Sequence, residues 1–117
     1  MTSADRLRSL LALVVLSAAK VALLDLFVES AQKIADEINA AGGDAIAVKA
    51  NVLDRDSLEE ARDAVVAKYG RIDVLINGAG GNKKQATVSP ELDFFHLDVD
   101  AFKWVFDLNV TGAVLTT

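Results

Sequence analysis

The chain has no cysteine among its 117 residues. Disulfides, thiolate metal sites and cysteine nucleophiles are therefore excluded, and a reducing compartment suits the composition. Proline occurs once, so helices and strands meet few obligatory breaks. A single histidine leaves little material for an imidazole-based metal site. Basic residues are the minority, 12 against 17 acids, for a net charge of -5. With no basic run in addition, a duplex-binding or membrane-surface role has nothing to rest on. Apolar residues are plentiful: 52% of the chain is hydrophobic and 25% charged, as in an ordered globular protein. The length suits one small domain. A complete doubly wound dinucleotide domain needs two βαβαβ halves, and at about 30 residues or more per βαβ unit this chain holds roughly one.

Residues 9–19 read SLLALVVLSAA, preceded by Arg6 and Arg8 and closed by small residues. That is the outline of a secretory signal peptide, and it is shorter than the about 20 apolar residues of a membrane span. Asp5 in the charged region and Lys20 at the end of the run oppose export. A mature chain starting there would also begin inside a strand. The reading adopted is an apolar helix over residues 1–19.

Strands and helices alternate after that point. Residues 20–26 (KVALLDL) are a short apolar run that suits a strand buried on both faces. Ala31, Ile34, Ala35 and Ile38 then mark one face of a helix, which Gly42-Gly43 stops. Residues 44–50 form the next strand. Asp56 with Glu59 resembles a capping box, and Leu58, Ala61 and Val65 line a helix ending at Gly70. Residues 72–76 (IDVLI) read as a third strand and 82–97 as a loop broken by Pro90. A last helix starts near Asp100, with Phe102, Val105, Phe106 and Ala113 on or near one stripe. The pattern implies an α/β fold with parallel strands and right-handed crossovers.

Several positions carry candidate chemistry, each beside a plainer reading. Asp25 ends the first strand, where open α/β sheets bind ligands. It can accept the ribose hydroxyls of an adenosine and repel a 2′-phosphate, or it is a solvated acid. Asn51 and Val52 follow the second strand; they can meet an adenine edge and face, or form a turn. Asn77-Gly78-Ala79-Gly80-Gly81 lets backbone approach a ligand closely, or is a flexible turn. Asn109 falls on the apolar side of the last helix, where an amide must be hydrogen-bonded. It either acts on a substrate or ties the helix to a loop carbonyl. Gly112 permits close packing nearby. His96 shows no partner in the sequence, Lys83-Lys84 reads as a solvated pair, and Trp104 as packing or subunit contact. Asp93, Asp98 and Asp100 are placed to cap the last helix, and no metal site is expected.

Together, AKVALLDL, ANVLD, YGRIDVLINGAGG and DLNVTG resemble the short-chain dehydrogenase/reductase family over about residues 19–117. NGAGGN followed by FFHLDVDAFKWVFDLN is similar to its D-mannonate oxidoreductase (fructuronate reductase) branch. The resemblance implies a partial Rossmann-like, doubly wound parallel sheet over residues 20–117. It implies that Asp25 selects NAD over NADP and that Asn51 and Val52 contact adenine, although aspartate is usual at position 51. It makes Asn77, Gly78, Ala79 and Gly80 the turn bordering the cofactor, with Gly78 in place of a second asparagine. Asn109 matches the helix asparagine of the catalytic tetrad, which holds a proton-relay water.

Two family features are missing. The seven glycines stand at 42, 43, 70, 78, 80, 81 and 112, so none forms a phosphate-binding loop before Lys20. Residues 1–19 stand where the usual first strand and that loop would be. The only tyrosine, Tyr69, is followed four residues on by Asp73 rather than lysine, so no Tyr-x-x-x-Lys is present. The expectation is a cytoplasmic piece of an NAD-dependent oxidoreductase, inactive alone, that serves a small-molecule substrate such as a sugar acid. A homo-oligomer is expected, with no nucleic-acid or membrane partner. The alternative is a non-enzymatic interaction module whose exposed sheet edges pair with other chains.

Overall fold

A computed structural model describes residues 18–117. The helix expected over residues 1–19, and the signal-peptide outline within it, lie outside the described residues except for Ala18 and Ala19. The chain divides into two units. One holds the residues up to Ala50 with Glu59–Ile72, and the other holds Asn51–Leu58 with Asp73–Thr117.

In the first unit, β1 (Lys20–Asp25) and β2 (Asp44–Lys49) pair in parallel, from Lys20 opposite Asp44 to Asp25 opposite Lys49. The amide of Ala50 adds one more bond, to the Asp25 carbonyl at 3.0 Å. Helix α1 (Val28–Ala40) makes the crossover. Its period-3.6 apolar face is the expected one: Ala31, Ala35 and Ile38 are buried. Ala35, Ile38 and Ala45 form the centre of the core, with Val21, Leu23, Ile34 and Ala47 packed around them. The alanines let helix and sheet approach closely, and Ile38 fills the remaining space.

Two backbone bonds end α1. Gly42 donates to the Asn39 carbonyl at 3.1 Å and Gly43 to that of Ile38 at 2.9 Å. Gly42 has φ +90, the left-handed conformation this stop requires. Asn39 then acts as a side-chain surrogate for a neighbouring strand. Its Nδ2 donates to the Ala45 carbonyl at 2.9 Å, and its Oδ1 accepts from the Ala45 amide at 2.8 Å. Helix α2 (Arg55–Tyr69) buries Ala61 and Val65 and stops at Gly70, which has φ +81.

The strand at 20–26 is not buried on both faces. Val21, Ala22 and Leu23 are half-buried, whereas Leu24 and Asp25 are exposed. β1 and β2 are the whole sheet among the described residues, so no third strand covers the other edge. The expected third strand at 72–76 is likewise absent: residues 71–83 carry no regular structure. A strand exists through its ladder bonds, and no partner strand for it lies among the described residues. Val74 and Ile76 are accordingly 77% and 70% exposed.

In the second unit the α2 cap is Asp54, two residues before the expected Asp56. Its Oδ1 accepts from the amides of Asp56 and Ser57 at 3.0 and 3.3 Å. Helix α3 (Val99–Phe106) continues through a π-turn (Asp107–Thr111) into α4 (Gly112–Thr116). Asp98 caps α3 by accepting from Asp100 and Ala101. The expected stripe holds in part: Val105 and Ala113 are half-buried, but Phe102 and Phe106 are exposed, and the buried residues are Ala101 and Gly112. The loop at 82–97 contains two 3-10 turns, Lys84–Ala86 and Phe94–His96.

Tyr69 donates its hydroxyl to Asp44 Oδ1 at 2.9 Å. Burial, then the hydrogen bond and charge of Asp44, push its pKa up from 10.0 to about 12. The folded-state value is raised, so this contribution to stability is intact below pH 10 and is lost as pH rises through about 12. Because Tyr69 is the only tyrosine, phenolate absorbance reports it alone. We expect a folded-state titration midpoint near 12 that falls to about 10 in denaturant. A folded-state midpoint already at the denatured value contradicts the Tyr69–Asp44 pairing.

Candidate functional site

The second unit brings the glycine-rich turn and the last helix together. Asn109 lies in the π-turn, a helical irregularity that frequently marks functional sites. Its Nδ2 donates to the Gly81 carbonyl and to the Val105 carbonyl, each at 2.7 Å. Its Oδ1 accepts from the Gly81 amide at 3.3 Å. The amide is thus fixed in one orientation across 28 residues of sequence. Asn109 is exposed rather than facing a buried apolar side as expected. The tie to a loop carbonyl, one of its two readings, is present.

Asn77 fastens the other end of the same turn. Thr116 donates its hydroxyl to Asn77 Oδ1, and Asn77 Nδ2 donates to the Thr117 hydroxyl at 3.4 Å. The glycines between have distinct duties. A Cβ on Gly80 would stand 2.8 Å from Asn109 Oδ1, and one on Gly81 would stand 3.3 Å from Leu108 Cδ2. Close approach at these two positions is therefore to the helix. At Gly78 a Cβ would meet nothing within 4 Å, so this position alone faces open space. Ala79 lies between them and is exposed.

Asn51 and Val52 belong to this unit as well. Asn51 Oδ1 accepts from the Leu53 amide at 3.0 Å, the Asx geometry of its turn reading. Val52 packs on the helix: a Cβ on Gly112 would lie 2.9 Å from Val52 Cγ2. Gly112 does permit the close packing expected of it.

In the first unit, Asp25 is exposed at the carboxyl end of β1. Its Oδ1 accepts from the Phe27 amide at 2.8 Å, which orients the carboxylate over the turn into α1. Its Oδ2 has no hydrogen-bond partner among the described residues.

Other residues gained partners that the sequence did not reveal. His96 has one after all: its Nδ1 lies 2.8 Å from Asp93 Oδ2. Lys83 is not simply solvated, since its Nζ sits 4.2 Å from the Trp104 ring centroid. Lys84 is exposed. No group of three or more His, Cys, Asp or Glu is placed to hold a metal among the described residues. No described helix is long and apolar enough to cross a membrane.

Residues 10–117 match the model of the short chain dehydrogenase family. An uncharacterized oxidoreductase of Haemophilus influenzae is 43% identical over 109 residues, covering 85% of this chain and 38% of its own length. The uncharacterized oxidoreductase UxuB of Bacillus subtilis is 44% identical over 106 residues, covering 84% of this chain and 38% of its own. Among solved structures, a Haemophilus influenzae protein assigned as a D-mannonate oxidoreductase, with NAD bound, superposes with a TM-score of 0.82. It is 41% identical and is matched over 93% of this chain and 43% of its own. The chain thus spans about two fifths of the length of these relatives.

The glycine geometry gives a paired test. We expect Gly80→Ala to lower stability by about 1–3 kcal/mol, because Asn109 must give way. Gly78→Ala should stay within about 0.5 kcal/mol of the parent. Thermal unfolding of both variants decides it, and equal effects contradict the assignment of the close approach to Gly80.

Proposed function

The chain belongs to the short chain dehydrogenase family, and on that premise we propose that it forms part of an NAD-dependent oxidoreductase acting on a sugar acid or another secondary alcohol or ketone. The observation that carries this reading is the Asn109–Gly81 clamp. It holds an amide in fixed orientation on the residue that matches the family's relay asparagine. One lone pair of Oδ1 accepts from Gly81, and a carbonyl oxygen has two. The second can hold a water for proton relay. In this role Asn109 positions the proton path, while the cofactor, when bound, supplies the hydride chemistry.

By the family resemblance, several residues take roles on the nucleoside side of such a cofactor. Asp25 Oδ2 is available to accept from ribose hydroxyls, and the carboxylate disfavours a 2′-phosphate at short range. That favours NAD over NADP. Asn51 and Val52 are the adenine-side candidates. Asn77, Gly78, Ala79 and Gly80 form the turn bordering the cofactor, and Gly78 has the open space a ligand needs. A small-molecule substrate and a cytoplasmic setting complete the reading.

A second reading, a non-enzymatic module that assembles with copies of itself, is favoured by one observation. Val99, Phe102, Phe106, Val110 and Val114 recur at spacings of three and four along the last helix, and all are exposed. A strict monomer in light scattering counts against this reading and leaves the first untouched.

The first reading is tested by titrating the isotope-labelled chain with NADH and NADPH. We expect NADH to shift the amides of Phe27 and Gly78, NADPH to do so several-fold more weakly, and Asp25→Ala to narrow that gap. Equal responses to both nucleotides in the parent chain overturn the role given to Asp25, and no response to either overturns the cofactor reading.

A further inference from the structure

The turn that Asn109 clamps is held to the last helix a second time. Lys83 follows Gly81 at two residues' distance. Its Nζ lies 4.2 Å from the centroid of the Trp104 ring on α3. That is well inside the about 6 Å within which a ring face attracts a cation. Both side chains belong to half-buried residues. Lys83 forms no ion pair among the described residues, so the ring is the contact that fixes its charge. Trp104 also borders the turn itself: a Cβ on Gly81 would lie 4.0 Å from Trp104 Cη2. One ring thus stands beside Gly81 and beneath the Lys83 ammonium. The segment after Gly81 has little slack. The Lys83 amide donates to Asn82 Oδ1 at 2.9 Å, Asn82 Nδ2 donates to Thr87 Oγ1 at 2.8 Å, and Thr87 Oγ1 donates to the Lys83 carbonyl at 3.0 Å.

The bond that needs such support is identifiable. Asn109 Nδ2 makes two bonds of 2.7 Å, whereas the Gly81 amide reaches Asn109 Oδ1 at 3.3 Å. The last is longer than the about 2.7–3.2 Å usual for N–H···O bonds. It depends most on how Gly81 is held from outside. It also decides what Oδ1 offers, because a carbonyl oxygen has two lone pairs and the Gly81 amide occupies one. If Gly81 moves away, both are open and the place of a bound water is no longer defined. We infer that Lys83 is a positioning residue: its ammonium, stacked on Trp104, holds Gly81 against Asn109 and so fixes the one free lone pair of the relay amide. The inference rests on the oxidoreductase reading for the relay, while the brace itself belongs to the chain without cofactor.

The test uses the labelled 117-residue chain without cofactor. We expect the methylene protons next to the Lys83 ammonium to resonate upfield of those of the other lysines, as protons above an indole ring do. In Trp104→Leu they should return to the common position. Lys83→Met keeps most of the stem and removes the charge. It should speed exchange of the Gly81 amide about two- to fivefold, the change carried by loss of one cation–π contact near the surface, while protection in α1 is kept. Lys83→Arg, whose guanidinium also stacks on aromatic faces, should restore the parent rate. In the Trp104→Leu background, Lys83→Met should change the Gly81 rate no further. The inference is overturned if the Lys83 protons of the parent are not shifted, if Lys83→Met exchanges at Gly81 as the parent does, or if Lys83→Arg behaves like Lys83→Met. The ring shift is read on the parent chain, so it decides even where a variant fails to fold. Addition of NADH then separates the two readings: a braced Gly81 with no NADH response at Gly78 supports the brace and overturns the cofactor reading, and an NADH response with no effect of Lys83→Met does the reverse.

Discussion

One side-chain amide organises the second unit. Asn109 makes three hydrogen bonds, two to the backbone of Gly81 and one to its own helix at Val105. A bond of this kind contributes about 0.5–1.5 kcal/mol net, so the set matters against the few kcal/mol by which small domains are stable. The surrounding sequence accommodates it. Gly80 and Gly81 omit side chains where a Cβ would crowd Asn109 and Leu108, and Gly112 omits one where Val52 presses in. The π-turn at Asp107–Thr111 carries Asn109 on an irregular stretch of helix. Asn77 secures the far end of the turn through Thr116 and Thr117. The result is a turn held at both ends, with open space at Gly78.

The first unit reaches order differently. Its core is small, centred on Ala35, Ile38 and Ala45, and polar devices supplement it. The Asn39 amide satisfies both backbone groups of Ala45. Tyr69 reaches Asp44 from α2. These contacts fix where β2 begins and, through the register with β1, where β1 ends. Asp25 stands at that end because the strand register ends there, and its bond to Phe27 aims the carboxylate. The position of the acid is therefore a consequence of packing several residues away.

Local signals in the sequence carried much of this. The periodicity of Ala31, Ala35 and Ile38, the glycine stop at 42 and 43, and the two paired strands are all local features, and each is present. The parallel α/β arrangement follows from them. Pairings between distant residues were not legible. Nothing near Asn109 identifies Gly81 as its partner, and nothing near Lys83 identifies Trp104. Residues 72–76 have the composition of a buried strand, but strand formation depends on a neighbour, and none is present among the described residues. The capping box at Asp56 failed for a simpler reason: Asp54, two positions earlier, accepts from the amides of Asp56 and Ser57, so the helix has already begun at Arg55. Of the site residues, Asn77, Gly80 and Asn109 were marked by their sequence positions and by the family resemblance, while their bonding came only with the fold.

The measurement that bears most directly on this account is hydrogen exchange at the Gly81 amide, in the parent chain and in Asn109→Ala. If the clamp holds the turn, exchange in the parent is slowed well below the rate of an unstructured chain, and the substitution restores a rate close to it while protection in α1 is kept. Fast exchange at Gly81 in the parent, or protection that survives loss of the Asn109 amide, contradicts the claim that this side chain builds the site.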